Sequence, residues 1–355
     1  MDNGIINGCE CYDSYYDGTN HDSGDGIHIS SSRNVWVLNS AVHDNGEQGI
    51  DISRDGDYKK RDDGYNVTIR DCVGYNNYKQ NFDCNSGYHD VYFVRCVGYG
   101  VSGTETMDAN FTSYGSILGT NWWINCTATK HWDKGFGWFW WGYGGTNNVP
   151  AGTTSYTTLI NCVSAADQGQ SMYVEADVDT CGYEVIAKNC DFYSLGPHWT
   201  PSYAVTEKGT NYTRAQVNAG TGRWLGTGCM ARDPLFVNSG TNWATSNLRL
   251  QANSPCIDAG IPLFTVSGSG TGTNIAVTPT LPNCRADMIF RPRDKVSIGV
   301  AVSSVFSVSP GALTLTASVA YSEGQLVWFQ TAGNGVDIGA YEYGIPAPPR
   351  NERVP

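Results

Sequence analysis

The sequence predicts an all-β parallel solenoid. Three observations carry that reading: a short β-rich phrase recurs seven times, a cysteine falls at one place in nearly every copy, and no stretch shows the 3.6-residue period of a helix. The copies are IINGCECYDS, WVLNSAVHDN, TIRDCVGYNN, YFVRCVGYG, WINCTATKHW, LINCVSAAD and IAKNCDFYS. Aligned, they set Cys9, Ser40, Cys72, Cys96, Cys126, Cys162 and Cys190 in one column, 24 to 36 residues apart. A unit of that length cannot bury its own apolar face. Each coil must therefore stack on the next, and identical positions form ladders along the axis at about 4.8 Å.

A second phrase follows each copy after a polar turn: GIHIS (26–30), GIDIS (49–53), NFDCN (81–85), NFTSY (110–114), GFGWF (135–139) and SMYVE (171–175). Alternation sends Ile27, Ile29, Ile50, Ile52, Phe82, Cys84, Met172 and Val174 inward. It leaves His28, Asp51, Asp83, Thr112, Gly137 and Tyr173 in one outward column. The cysteine column reads as small interior filler in preference to a disulfide zip, because side chains in register run parallel and do not converge. The Asn or Asp before these cysteines reads as a turn residue bonding local backbone.

Length and charge bound what the chain does. It has 355 residues, 40% hydrophobic and 16% charged, with a net charge of −12. That is enough apolar residue for a large core, and no basic field exists to attract a nucleic acid. No run approaches a membrane span, and the first residues lack the two regions of a signal peptide. The chain starts within or just before a repeat, so the expectation is a fragment missing earlier coils, extracellular or at the cell surface by fold alone.

Residues 1–195 read as the coils, 196–345 as C-terminal coils with a loop-rich, partly antiparallel capping region, and 346–355 as a flexible tail. Within the second segment SGSGTGTN (267–274) reads as a linker by composition. The stretch 306–331 alternates like antiparallel strands that cap or cover the solenoid end. DPLFVNSGTNWATSNLRLQANSPCIDAG (233–260) and VDIGAYEYG (336–344) resemble the C-terminal ends of right-handed parallel β-helix proteins of bacteria and phages.

The chemical feature is the ladder His28, Asp51, Asp83, three ionisable groups on adjacent coils. Close carboxylates bind a cation, share a proton or sit beneath a basic group. Asp25, Asp44, Glu47 and Lys79 flank it in the preceding turns, and the oxygen-rich set suits calcium better than zinc. Asp51 and Asp83 could also form a glycosidase pair at the roughly 5 Å spacing of retaining enzymes. The aromatic run 121–145 puts Phe139, Trp141 and Tyr143, with nearby Trp132, on the side of this ladder, where rings could pack on sugars. The insertion 53–65 brings Arg54 to the rim, a contact for a uronate, and His28 of the ladder is a further substrate contact.

VTIRDCVGYNN and KQNFDCNS resemble coil segments of polysaccharide lyase family 9, the calcium-dependent, pectate-lyase-like β-helix enzymes. The resemblance implies a right-handed parallel β-helix, and its ligand motifs fall on Asp25, Glu47, Gln48 and Asp51. It implies a lysine base as well, but Asp83 stands where the family's lysine strand aligns, leaving Lys79 or Lys134 for that role. The expected function is calcium-assisted β-elimination of an acidic polysaccharide such as pectate, by a monomer. The alternative is a non-catalytic carbohydrate-binding adhesin or a trimeric phage tail fibre or tailspike.

Overall fold

The computed structural model describes residues 3–15, 24–53, 64–84, 88–101, 109–114, 120–130, 134–140, 154–166, 170–176, 182–194, 205–207, 210–222, 224–240, 242–330 and 335–341. It is a right-handed parallel β-helix of three sheets. Each coil contributes one strand to sheet A, one to sheet B and one to sheet C, as in Arg33–Leu38, Ala41–His43 and Ile50–Ser53. No helix among the described residues is long and apolar enough to cross a membrane.

The corner from sheet A to sheet B explains the repeated phrase. Asn39, Asp71, Arg95, Asn125, Asn161 and Asn189 all turn with φ between 47° and 56°, the left-handed region that Asn and Asp tolerate best. The next residue is the column of Ser40 and the cysteines. The Cys96, Cys126 and Cys162 thiols point at carbonyls of the coil below, Ile69, Phe93 and Trp123, at 3.3, 3.3 and 3.2 Å. All eleven described cysteines are free. The corner asparagines do more than close their own turns. Asn39 donates to Asn7 and Asn161 to Asn125, while Asn125, Asn161 and Asn189 also donate to backbone carbonyls of Asp337, Ile261 and Ala259. The corner thus fastens the C-terminal segments to the solenoid.

The interior is the set of inward columns. Ile50 pairs with Phe82, Phe82 with Phe111, Phe111 with Phe136 and Phe136 with Met172. The Phe82–Phe111 and Phe111–Phe136 rings stack with centroids 4.8 and 5.0 Å apart. In-register pairing makes like meet like, which is how a coil too thin to have its own core acquires one.

Two expectations for the C-terminal part need correction, and the repeat itself runs further than its phrase shows. Trp224–Thr227 pairs with Gly182–Lys188, Gly228 takes the left-handed corner at φ 67°, and Cys229 adds a rung to the cysteine column. Glycine in place of Asn hid this copy. The supposed linker is half strand, since Gly270–Pro279 pairs antiparallel with Ala312–Tyr321 and its pairing residues override its flexible composition. The antiparallel strands do not cap an end. Phe264–Val266, Gly270–Pro279, Lys295–Ile298, Ala301–Ser309, Ala312–Tyr321 and Leu326–Phe329 close into a barrel seated on the flank of sheet A. Its core is continuous with Tyr92, Val94, Trp122, Ile124 and Ile160 on the sheet's outer face. Arg70 of sheet A locks the contact with a two-pronged bond to Asp294 at 2.6 and 2.9 Å.

Candidate functional site

The outward column of sheet C forms as the alternation requires. His28 pairs with Asp51 and Asp51 with Asp83, and the Thr112 hydroxyl donates to Asp83 from the next coil. The turns before these strands stack too. The Glu47 amide bonds the Gly24 carbonyl and the Lys79 amide bonds the Glu47 carbonyl, so 24, 47 and 79 form one column and Asp25, Gln48 and Gln80 the next.

Burial departs from what an outward column suggests. Asp51 is 2% and Asp83 1% exposed, so this face is no solvated acidic surface. Asp83 is pushed up to about 7, first by burial and then by the charge of Asp25, against the Thr112 hydroxyl and Lys79, which favour ionisation. A carboxyl so placed is shared between its two protonation states at neutral pH.

Asp25, His28 and Asp51 bring one ligand atom each within 4.8 Å of one another. His28 Nε2 lies 2.7 Å from Ser53 Oγ and 3.6 Å from Asp51 Oδ2, and the Gln48 backbone amide donates to Asp25 Oδ1 at 3.0 Å. Gln48 Oε1 is buried with no hydrogen-bond partner among the described residues. The carboxylates of Asp25 and Asp51 therefore fit a hard cation. Glu47 fits less well, because its Oε1 holds the Lys79 ammonium at 2.5 Å and the residue is buried. His28, expected as a sugar contact, lies beside Asp25 and Asp51, and Lys79, expected as a base, is the counter-ion of Glu47. Arg54, Trp132, Trp141 and Tyr143 lie outside the described residues, as do the side chains of Lys134 and Phe139.

Sequence reasoning missed the support beneath the site. A chain of buried amides crosses the corner from sheet B to sheet C: Asn45 donates to Asn77, Asn77 to Asn81 and Asn81 to Asn110, at 2.8, 2.7 and 2.6 Å, and Asn110 donates to the Thr129 carbonyl. The glycine of GIDI belongs to it. A Cβ at Gly49 would meet the Asn81 carbonyl oxygen at 2.5 Å and Asn77 Nδ2 at 2.6 Å. The signal was present in the sequence, since Gly26 and Gly49 sit where later coils carry Asn81 and Asn110. Side-chain amides from one coil fill the space that small residues leave in the next.

No family model and no curated protein matches the chain. Among solved structures it is similar to the pectate lyase Pel9A, at 14% identity and TM-score 0.38, over 94% of this chain and 77% of that one. It is also similar to the tailspike gp61 of the Pseudomonas phage phi297, at 12% identity and TM-score 0.30, over 92% and 57%. Likenesses this distant leave the chemistry of the site to its own residues.

Proposed function

We propose that this β-helix acts on an acidic polysaccharide at the outward column of sheet C, as a calcium-assisted lyase. The supporting observation is the convergence of Asp25, His28 and Asp51 beside a buried carboxyl held near neutrality. In this reading Asp25, Gln48 and Asp51 would hold the calcium ion, which would supply positive charge to anchor a uronate carboxylate and acidify the neighbouring carbon. His28 presents its ring at the outer edge of the cluster. Asp83 or Lys134 takes the proton, while Lys79 stays with Glu47 and keeps that carboxylate neutralised.

One observation favours a second reading, a saccharide-binding adhesin or tail fibre without chemistry. The described lysine nearest the column is committed to an ion pair, and Asp51 and Asp83 are buried. Ultraviolet absorbance of the unsaturated product, followed on pectate and alginate with and without calcium, separates the two. The lyase reading expects calcium-dependent product that Asp51→Ala abolishes. Absence of product, with calcium still raising Tm in wild type and not in Asp51→Ala, moves the protein to the binding class. New reducing ends without unsaturation would assign Asp51 and Asp83 to hydrolysis.

A further inference from the structure

A second place on the same coils has the makings of a ligand site, on the sheet B side of the corner. An open cleft of about 710 Å³ runs across three coils there, lined by Asp13, Tyr15, Asp44, Asn45, Asn76 and Tyr78 among others. It includes none of Asp25, His28, Asp51 or Asp83. Tyr15 is 80% and Tyr78 40% exposed, which is unusual for rings that could have packed inside.

The polar lining is held in place from behind. Asp13, Asp44 and Asn76 occupy equivalent corner positions with φ of 57°, 53° and 54°, so their side chains form a short ladder along the cleft. The Asn76 amide faces Asp44 Oδ1 at 3.4 Å. Asp44 is oriented by His43, whose Nδ1 lies 2.6 Å from its Oδ2, while Nε2 lies 3.1 Å from Glu10. His43 is itself buried and clamped between the rings of Tyr12 and Tyr75, with centroids 5.2 and 4.4 Å away and planes within 7°. On the other wall Asn45, which begins the buried amide chain, holds Ser14 Oγ at 2.7 Å. A carboxylate fixed by a clamped imidazole, beside the exposed amide of Asn76, is a preorganised set of acceptors and donors.

The chemistry of this lining selects its ligand. Exposed tyrosine rings offer faces for sugar C–H groups, and fixed carboxylates and amides bond hydroxyls or an ammonium. Among the described residues no Lys or Arg lines the cleft, so a uronate would bring its carboxylate against Asp13 and Asp44 with no lining cation there to offset the repulsion. We propose that this cleft is a saccharide-binding site for sugar units that carry no carboxylate, separate from the acidic column. The proposal does not rest on that column being catalytic. His43 acts here as a positioning residue for Asp44.

The test is binding of the full chain to a glycan array of neutral, N-acetylated, amino-sugar and uronate oligosaccharides, followed by titration calorimetry on the strongest binder. The expected result is retention of a glycan free of uronate. Its affinity should fall at least tenfold in Tyr78→Ala and in Tyr15→Ala, recover to within about threefold in Tyr78→Phe, and be unchanged in Asp51→Ala. Both tyrosines are exposed, so an unchanged Tm confirms that the variants fold. Binding of uronates alone, binding of no glycan, or equal affinity in wild type and both alanine variants would each overturn the proposal. Failure of the lyase assay leaves this result untouched, and loss of array binding leaves the lyase assay untouched.

Discussion

Two buried aspartates, Asp83 in sheet C and Asp191 in sheet B, are each pushed up to about 7, and in both burial is the leading cause. Their neighbours differ. Asp83 has Asp51 in register beside it, Asp25 and Lys79 acting on it through charge, and a Thr112 hydroxyl as its bond donor. Asp191 accepts the Arg232 backbone amide at 2.9 Å and faces the Cys256 thiol at 3.4 Å, both from the segment that leaves the last coils. One is embedded among ionisable groups and the other ties down a strap. A raised carboxyl is therefore no functional signal alone. The company of other titratable groups within one ligand sphere is what marks the sheet C position.

The largest contrast should appear in turnover. Asp83→Asn is expected to lower product formation on the responsive polysaccharide more than a hundredfold, and Asp191→Asn to leave it within twofold, both read by initial rates at saturating calcium. Equal losses would erase the distinction and make both carboxyls structural. A stability effect comes next. Gly49→Ala drives a methyl group into the amide chain beneath the acidic column, against backbone on one side and the Asn77 amide on the other. It should cost about 3 kcal/mol in urea unfolding, since neither neighbour is a flexible chain end.

The pH dependence of Asp191 follows from the direction of its shift. The unfolded carboxyl titrates near 4 and the folded one at about 7, so between those values the native state holds the extra proton. Its stabilising contribution is complete below pH ~4 and is lost as pH rises through about 7. Asp191→Asn keeps an acceptor for the Arg232 amide and removes the titration. The variant should gain about 4 kcal/mol over wild type at pH 8 and nothing near pH 4, measured by urea midpoints at both values. A constant difference across that range would mean that Asp191 keeps an ordinary pKa and that burial is not what sets it.

What the sequence disclosed and what it hid divide along the same physical line. The cysteine column, the left-handed corner residues and the inward and outward sorting of Ile50 through Val174 were legible because a solenoid repeats its interactions at a fixed period. Gly228 escaped because glycine and asparagine meet the same backbone demand with different letters. The barrel on the flank of sheet A escaped because Trp122 and Tyr92 cover it through contacts with residues almost 200 positions away, which no local period encodes. At the candidate site, Asp25 and Asp51 were found from charge and spacing. The Glu47–Lys79 pair was not, because only the coil register reveals that turn residues 32 apart stack.

The smallest effect tests the interior against the buried acids. If a polar group is tolerated only where nearby backbone offers a partner, the cysteine column should accept a hydroxyl. Ser40 already occupies that column, where its Oγ donates to the Leu38 carbonyl at 2.8 Å and accepts the Cys9 amide. The Cys72 thiol stands in the same geometry over the Arg70 carbonyl at 3.4 Å, so a shorter hydroxyl would find that acceptor in place. Cys72→Ser should therefore cost no more than about 1 kcal/mol, the range of one hydrogen bond exchanged for a small loss of packing. Val67→Ser, at an inward position of the sheet A strand Gly64–Arg70 that leads into this corner, has no such precedent and should cost about 3 kcal/mol through an unpaired hydroxyl and a cavity. Thermal melts of the two variants decide it. Similar losses would mean that the column is filled by size alone and that its carbonyl contacts do not stabilise the coil.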